Sequence, residues 1–192
     1  MKTKIKLIIA VSSILCYSFS VAQVVQLTPA QAMEEHKNEI GSTAYIFEGK
    51  VTQKKYYNGK NQVVTTCIIQ ITKIFKGSPQ LKLGSIKVIT EQAVKNGGII
   101  VTPTDEGYVV PINKEDTYII FCRPVNSSWC VDSTATDNNI ALTTWDGGLD
   151  DPIIISGDSI NWYNTPQLKT KEDVYSFFKE NGVTVQDEIK QK

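Results

Sequence analysis

The sequence predicts an all-β protein: an OB-like barrel with extra carboxy-terminal strands and two flanking helices. Three observations lead there. A long extended pattern runs from Tyr45 to Phe75 and turns back on itself around Tyr57-Asn58-Gly59-Lys60. Short β-branched and aromatic runs follow at close spacing, separated by turn-rich clusters such as Asn96-Gly97-Gly98, Asp105-Glu106-Gly107 and Asp146-Gly147-Gly148. Helical spacing is confined to two stretches that flank all of these strands. A β-sandwich satisfies the same alternation and is the alternative, so strand order decides between the two.

Residues 1–22 read as a cleavable export signal, with Lys2, Lys4 and Lys6 ahead of an apolar stretch from Leu7 to Cys16 and small residues at Ser20-Val21-Ala22. The apolar run is too short to span a bilayer, so no stable membrane span is expected after cleavage. Leu15 is bulky where a lipoprotein signal would place a small residue before Cys16, which argues against lipidation there. The expected location is therefore the periplasm or the extracellular space. Residues 23–192 are expected to form a single β-rich domain, long enough to bury a real core.

Thr28-Pro29-Ala30-Gln31 opens this domain as a helix start should, with a capping threonine, a first-turn proline and a glutamine closing a capping box. The helix is expected over about 28–40, stopping at Gly41. Its apolar residues are few, which predicts a helix lying on a surface with His36, the chain's single histidine, solvated and without a role. From Ala44 the pattern becomes extended. Asn58-Gly59 is the strongest short hairpin signal, because both turn residues must accept positive φ. The two strands then pair antiparallel, with Cys67, Ile69 and Ile71 on the buried face and Lys54 and Lys55 projecting into water near the tip.

Further strands are expected at Ser85 to Glu91, Ile99 to Thr102, Tyr108 to Ile112, Thr117 to Arg123, Ser128 to Asp132, Asn139 to Trp145, Pro152 to Ile155 and Ser159 to Tyr163. A second helix closes the pattern over about 170–181, capped by Thr170 and stopped at Asn181-Gly182. Its Val174, Phe177 and Phe178 make a stripe that should dock on the barrel.

Phe47-Glu48-Gly49-Lys50-Val51, Ile69-Gln70-Ile71-Thr72-Lys73-Ile74-Phe75-Lys76-Gly77, Ile86-Lys87-Val88-Ile89-Thr90 and Glu115-Asp116-Thr117-Tyr118-Ile119-Ile120-Phe121 resemble successive strands of the bacterial netrin/TIMP-like secreted module. The resemblance covers residues 41 to 132 and implies an OB-like barrel. Inhibitors of the TIMP type chelate a protease zinc through an amino-terminal cysteine. The expected mature amino terminus here is Gln23, so that mode does not carry over. What the resemblance leaves is a loop-mediated protease inhibitor.

Cleavage removes Lys2, Lys4 and Lys6 from 20 Lys and Arg set against 20 Asp and Glu, giving the mature chain a net charge of −3. That balance lacks the basic footprint of a nucleic-acid reader. Three cysteines remain. A hairpin centred on Asn126 puts Cys122 opposite Cys130, within disulfide reach, and the short loop it closes would add about 2.5 kcal/mol. Cys67 is then expected as a small core residue, the alternative being a link from Cys67 to Cys122 or Cys130. Scattered cysteines and a remote His36 lack zinc-ligand spacing, so no metal is expected.

Trp129, Trp145, Trp162 and Tyr163 are the candidate ligand platform, since aromatic faces can stack on sugars. The competing reading places them in the core. Asp146, Asp150 and Asp151 form an acidic turn without EF-hand order, and they would support carboxylate hydrolysis only from within a cleft. One histidine on a surface-type helix gives no Ser-His or Cys-His arrangement, and no glycine loop carries a phosphate-cradling ending. The expectation is a non-enzymatic, cofactor-free binding or interaction module of the bacterial cell envelope, whose partner is an envelope protein or glycan.

Overall fold

The computed structural model describes residues 27–58, 62–96, 99–101, 112–125, 135–144, 152–162 and 165–189. The export-type segment, the second half of the candidate disulfide and the acidic turn therefore lie outside the described residues. The elements run α1 (Pro29–Ser42), β1 (Tyr45–Asn58), β2 (Gln62–Lys76), β3 (Gly84–Asn96), β4 (Ile99–Val101), β5 (Thr117–Pro124), β6 (Ala141–Thr143), β7 (Ile153–Ser156), β8 (Ser159–Asn161), α2 (Lys171–Glu180) and β9 (Asp187–Glu188).

Strand order favours the barrel. β1 pairs with β2, β2 with β3, β3 with β6, β6 with β5, and β5 returns to the other edge of β1, so five strands form a ring. β3 and β6 run parallel and every other described pair is antiparallel. The ring is barely closed where β5 meets β6, through Arg123↔Thr143 and Pro124↔Leu142. The outer edge of β5 is shared: its first residues carry β7, which carries β8, and these are the extra carboxy-terminal strands.

Curling one hairpin around a ring requires both of its strands to bend. Register shifts at Ile46/Phe47, Glu48/Gly49 and Val51/Gln53 supply those bends as bulges, with the extra residue on β2 at the first two (Phe75 and Thr72) and on β1 at the third (Thr52). Gly49 sits where β1 is paired on both edges, with Ile71 on one side and Tyr118 on the other. A Cβ there would lie 2.6 Å from Ile69 Cγ2 and 2.8 Å from the Gln70 carbonyl oxygen, which is why this strand interior holds a glycine. At the far end the last ladder pair is Asn58↔Val63. The connection thus falls later than an Asn58-Gly59 two-residue turn would place it, and Asn58 keeps an ordinary negative φ. The pairing from Gln53 to Asn58 contains no shift, so the register near the tip is independent of the bulges.

Two apolar layers result. Phe47, Val51, Cys67, Ile69, Ile71, Val88 and Ile120 fill the ring, so the inward set expected for β2 is found. Ile46, Phe75, Ile119 and Phe121 point the opposite way into a second core with Ile40, Trp162, Val174 and Phe178. β5 is buried on both faces from Tyr118 to Cys122, which explains its unbroken apolar run.

Both helices cover the outer layer. Thr28 and Gln31 make the expected capping box, and Thr170 with Asp173 makes the second. The carboxy-terminal end of α1 is held by Lys76, whose Nζ donates to the Ile40 and Gly41 carbonyls at 2.9 Å each. The face α1 buries is Ala32, His36, Glu39 and Ile40. His36 is thus a packed residue and not a solvated one, contrary to the expectation from its polar helix.

Candidate functional site

β5 stops pairing with β1 at Lys50↔Thr117, and beyond Val51 the side chains of β1 change from buried to half-buried or exposed. The ladder nevertheless continues through Gln53↔Ile68 to Asn58↔Val63, and β3 extends it on the other side of β2 through Gln62↔Val94. The outcome is a sheet extension past the ring, carrying the sequence Gln53-Lys54-Lys55-Tyr56-Tyr57-Asn58. Tyr56 is 67% exposed, the most exposed large apolar side chain among the described residues. Lys54, two residues away on the same face, holds its Nζ 5.5 Å from the Tyr56 ring centroid. Thr65, opposite Tyr56, is buried, so the tyrosine stands on a rigid base. An accessible ring with an adjacent ammonium can stack on a sugar or peptide plane while pairing with an anionic group.

Of the residues proposed from sequence as an aromatic platform, Trp162 alone lies among the described residues. Trp162 is 3% exposed and belongs to the outer core, stacked on Phe121 at 5.7 Å and edge-on to Phe177 and Phe178. It fills space between barrel and helices and cannot offer a face to a ligand. Trp129, Trp145 and Tyr163 lie outside the described residues. The His36 ring lies 4.0 Å from Trp162, and its Nδ1 is 2.9 Å from Glu39 Oε2. The histidine's surroundings come from the far end of the fold, which its own helix could not signal. Cys67 and Cys122 are both buried inside the ring, with Cys67 Sγ 3.7 Å from Thr90 Oγ1. Cys130 lies outside the described residues.

Three further polar clusters hold the fold. Glu48, on the outward face of β1, accepts from Tyr175 Oη at 2.5 Å and from Lys171 Nζ at 3.2 Å. Burial, followed by the Glu48 carboxylate, raises the Tyr175 phenol far above its ordinary range and keeps it a proton donor. Inside the ring, burial likewise pushes up the Tyr118 phenol, which accepts from the Asn113 amide and donates to Asp116. Glu48, Tyr175 and Lys171 were missed in the sequence. The available signal was a carboxylate within an otherwise apolar run, and a Lys-Tyr pair one helical turn apart.

The third cluster clamps the segment before β6 onto the start of β3. Asp137 accepts from the Ser85 amide at 2.6 Å and the Ser85 hydroxyl at 2.8 Å, while Asn138 bonds both Lys82 and Ser85. Gly84 enters at φ +125°, where a Cβ would press within 2.7 Å of Asp137 Oδ2. Beside it lies an open depression of about 540 Å³ lined by Pro79, Gln80, Lys82, Asp137, Asn139 and Ile140. No group of three or more His, Cys, Asp or Glu able to hold a metal occurs among the described residues, and none of their helices is long and apolar enough to cross a membrane.

The amide and hydroxyl of Ser85 hold Asp137 below its ordinary carboxyl value, and the Lys169 and Thr170 amides do the same for Asp173. In both, the folded-state pKa lies below the unfolded one. The stabilisation is therefore fully present above the unfolded value near 3.8 and disappears as pH falls through the folded value. Urea midpoints measured downward from pH 5 should fall less steeply in an Asp137→Asn, Asp173→Asn variant than in wild type. Parallel curves would mean these carboxylates are not pinned in solution.

No protein-family model matches the chain, and no curated protein matches it.

Proposed function

We propose that the chain is an exported, non-enzymatic binding module of the bacterial cell envelope, engaging an envelope protein or glycan through the Tyr56 face of the β1–β2 extension. The observation that carries this reading is the exposure of Tyr56 on a rigid ladder with Lys54 beside it. Rigid aromatic side chains with a cationic neighbour are the usual anchors of contact surfaces. The side chains best suited to proton transfer have structural duties: His36 packs on Trp162, and the phenols of Tyr118 and Tyr175 are held protonated by burial. The ring of five strands supports the netrin/TIMP-like resemblance at the level of fold, and the export-type amino terminus supports the location.

Residues 23–192 should co-sediment with peptidoglycan sacculi or outer-membrane vesicles, and Tyr56→Ala should weaken retention about tenfold, as removal of an anchor does. Retention by neither fraction, or retention indifferent to Tyr56→Ala and Lys54→Gln, would remove the reading. Slowed cleavage by a secreted protease in the same preparations would replace it with the inhibitor alternative.

A further inference from the structure

The pairing of β2 with β3 ends at Ile71↔Gly84, so Thr72–Ile74 have no barrel strand on that side. The chain covers the gap with its own tail. Past Val183, the last buried residue of the outer core, the backbone runs antiparallel to β2 as β9, with Lys73↔Glu188 and Ile74↔Asp187. The Gln186 amide donates to the Ile74 carbonyl at 2.7 Å, and the Ile189 amide donates to the Thr72 carbonyl at 2.9 Å. Among the described residues, the side-chain bond across this ladder is Glu188 to Lys73 Nζ at 3.1 Å, with the same ammonium 4.4 Å from the Tyr175 ring centroid.

This cover is lightly held. Every residue from Thr184 to Ile189 is exposed, including Val185 at 42% and Ile189 at 51%. Backbone hydrogen bonds and an ion pair therefore supply most of its attachment, with no fully buried apolar side chain among Thr184–Ile189, and such segments open far below the free energy of global unfolding. The tail can peel away while Val183 and α2 stay docked. An edge covered only in this manner is a ready template for another strand.

We infer that the Thr72–Ile74 edge of β2 is a strand-addition site for an extended acidic segment of a partner protein, occupied in the resting chain by residues 186–189 as a built-in pseudo-ligand. The tail itself shows what the edge accepts: backbone donors spaced to meet the Ile74 and Thr72 carbonyls, and a carboxylate placed against Lys73. Lys73 faces Glu48 across the β1 ladder and lies over Tyr175, so the charge that selects the partner is fixed in place by the barrel and α2. The site is distinct from the Tyr56 face, whose ladder partner is Thr65 near the opposite end of β2. Either can fail without the other.

The probe is a labelled peptide of the chain's own residues 184–192, offered to the full mature chain and to one ending at Val183. The shortened chain keeps every residue of both cores. It should bind the peptide at least about tenfold more tightly than the full chain, where the tethered tail competes at millimolar effective concentration. A peptide carrying Glu188→Lys should bind about threefold more weakly, and a Lys73→Glu host should reverse that preference. A cooperatively folded shortened chain that binds no better than the full chain overturns the inference. Should shortening prevent folding, amide exchange in the full chain decides: Gln186 and Ile189 should exchange at least about a hundredfold faster than Ile69 and Ile71, and equal protection overturns it.

Discussion

Phe121→Ala is expected to lower folding stability by about 4 kcal/mol, as large-to-small changes at fully buried aromatics do. Phe121 is the hub of the outer layer. It stacks on Trp162 with an interplanar angle of 22° and meets Phe178 edge-on at 84°. Its ladder partner Ile46 lies in the same layer. Neighbouring Ile120 and Cys122 point into the ring instead, so they cannot move to fill the void without vacating the inner core. The ring and its helical cover should then lose stability together, as one cooperative unit. Urea titration followed by far-UV and near-UV circular dichroism is the check. A loss under about 1 kcal/mol, or a near-UV transition separating from the far-UV one, would show that the helices are only loosely attached.

That coupling was the part of the fold least visible in the sequence. Local signals performed well where local chemistry governs: Thr28 with Gln31 and Thr170 with Asp173 cap the helices they were expected to cap, and Cys67, Ile69 and Ile71 face inward. The run from Tyr118 to Cys122 identified a strand, but an unbroken apolar run carries no period and cannot say that its two faces enter different cores. His36 looked solvated because its helix is polar; its burial depends on Trp162, which tertiary packing alone brings near. Asn58-Gly59 marked the neighbourhood of a reversal, while the last ladder pair, Asn58↔Val63, shows that the motif did not fix its register. The candidate contact face was half visible: Lys54 and Lys55 stood out as charges near a tip. The exposure of Tyr56 depends on where β5 stops pairing, which no local pattern encodes. The tail on β2 left almost no trace, since backbone pairing places little demand on side chains.

The second large effect concerns the carboxylate that ties α2 to the barrel. Glu48→Ala should cost about 2 to 3 kcal/mol, the upper part of the scale for leaving a buried hydrogen-bonding group without its partner. Glu48 is 7% exposed, whereas Lys171 reaches water and can turn outward, so the loss comes mainly from the Tyr175 hydroxyl left half-buried without its acceptor. Tyr175→Phe alone should therefore cost about 1 to 2 kcal/mol, because the carboxylate still has Lys171. Combining the two changes should cost less than their sum by at least about 1 kcal/mol, the signature of groups acting through one another. Glu48→Gln separates charge from shape: an amide oxygen can still accept from Tyr175 but cannot balance Lys171, which should place its cost between wild type and Glu48→Ala. Strict additivity in the cycle would mean that Phe75, whose ring centroid lies 5.3 Å from that of Tyr175, holds α2 in position by packing alone.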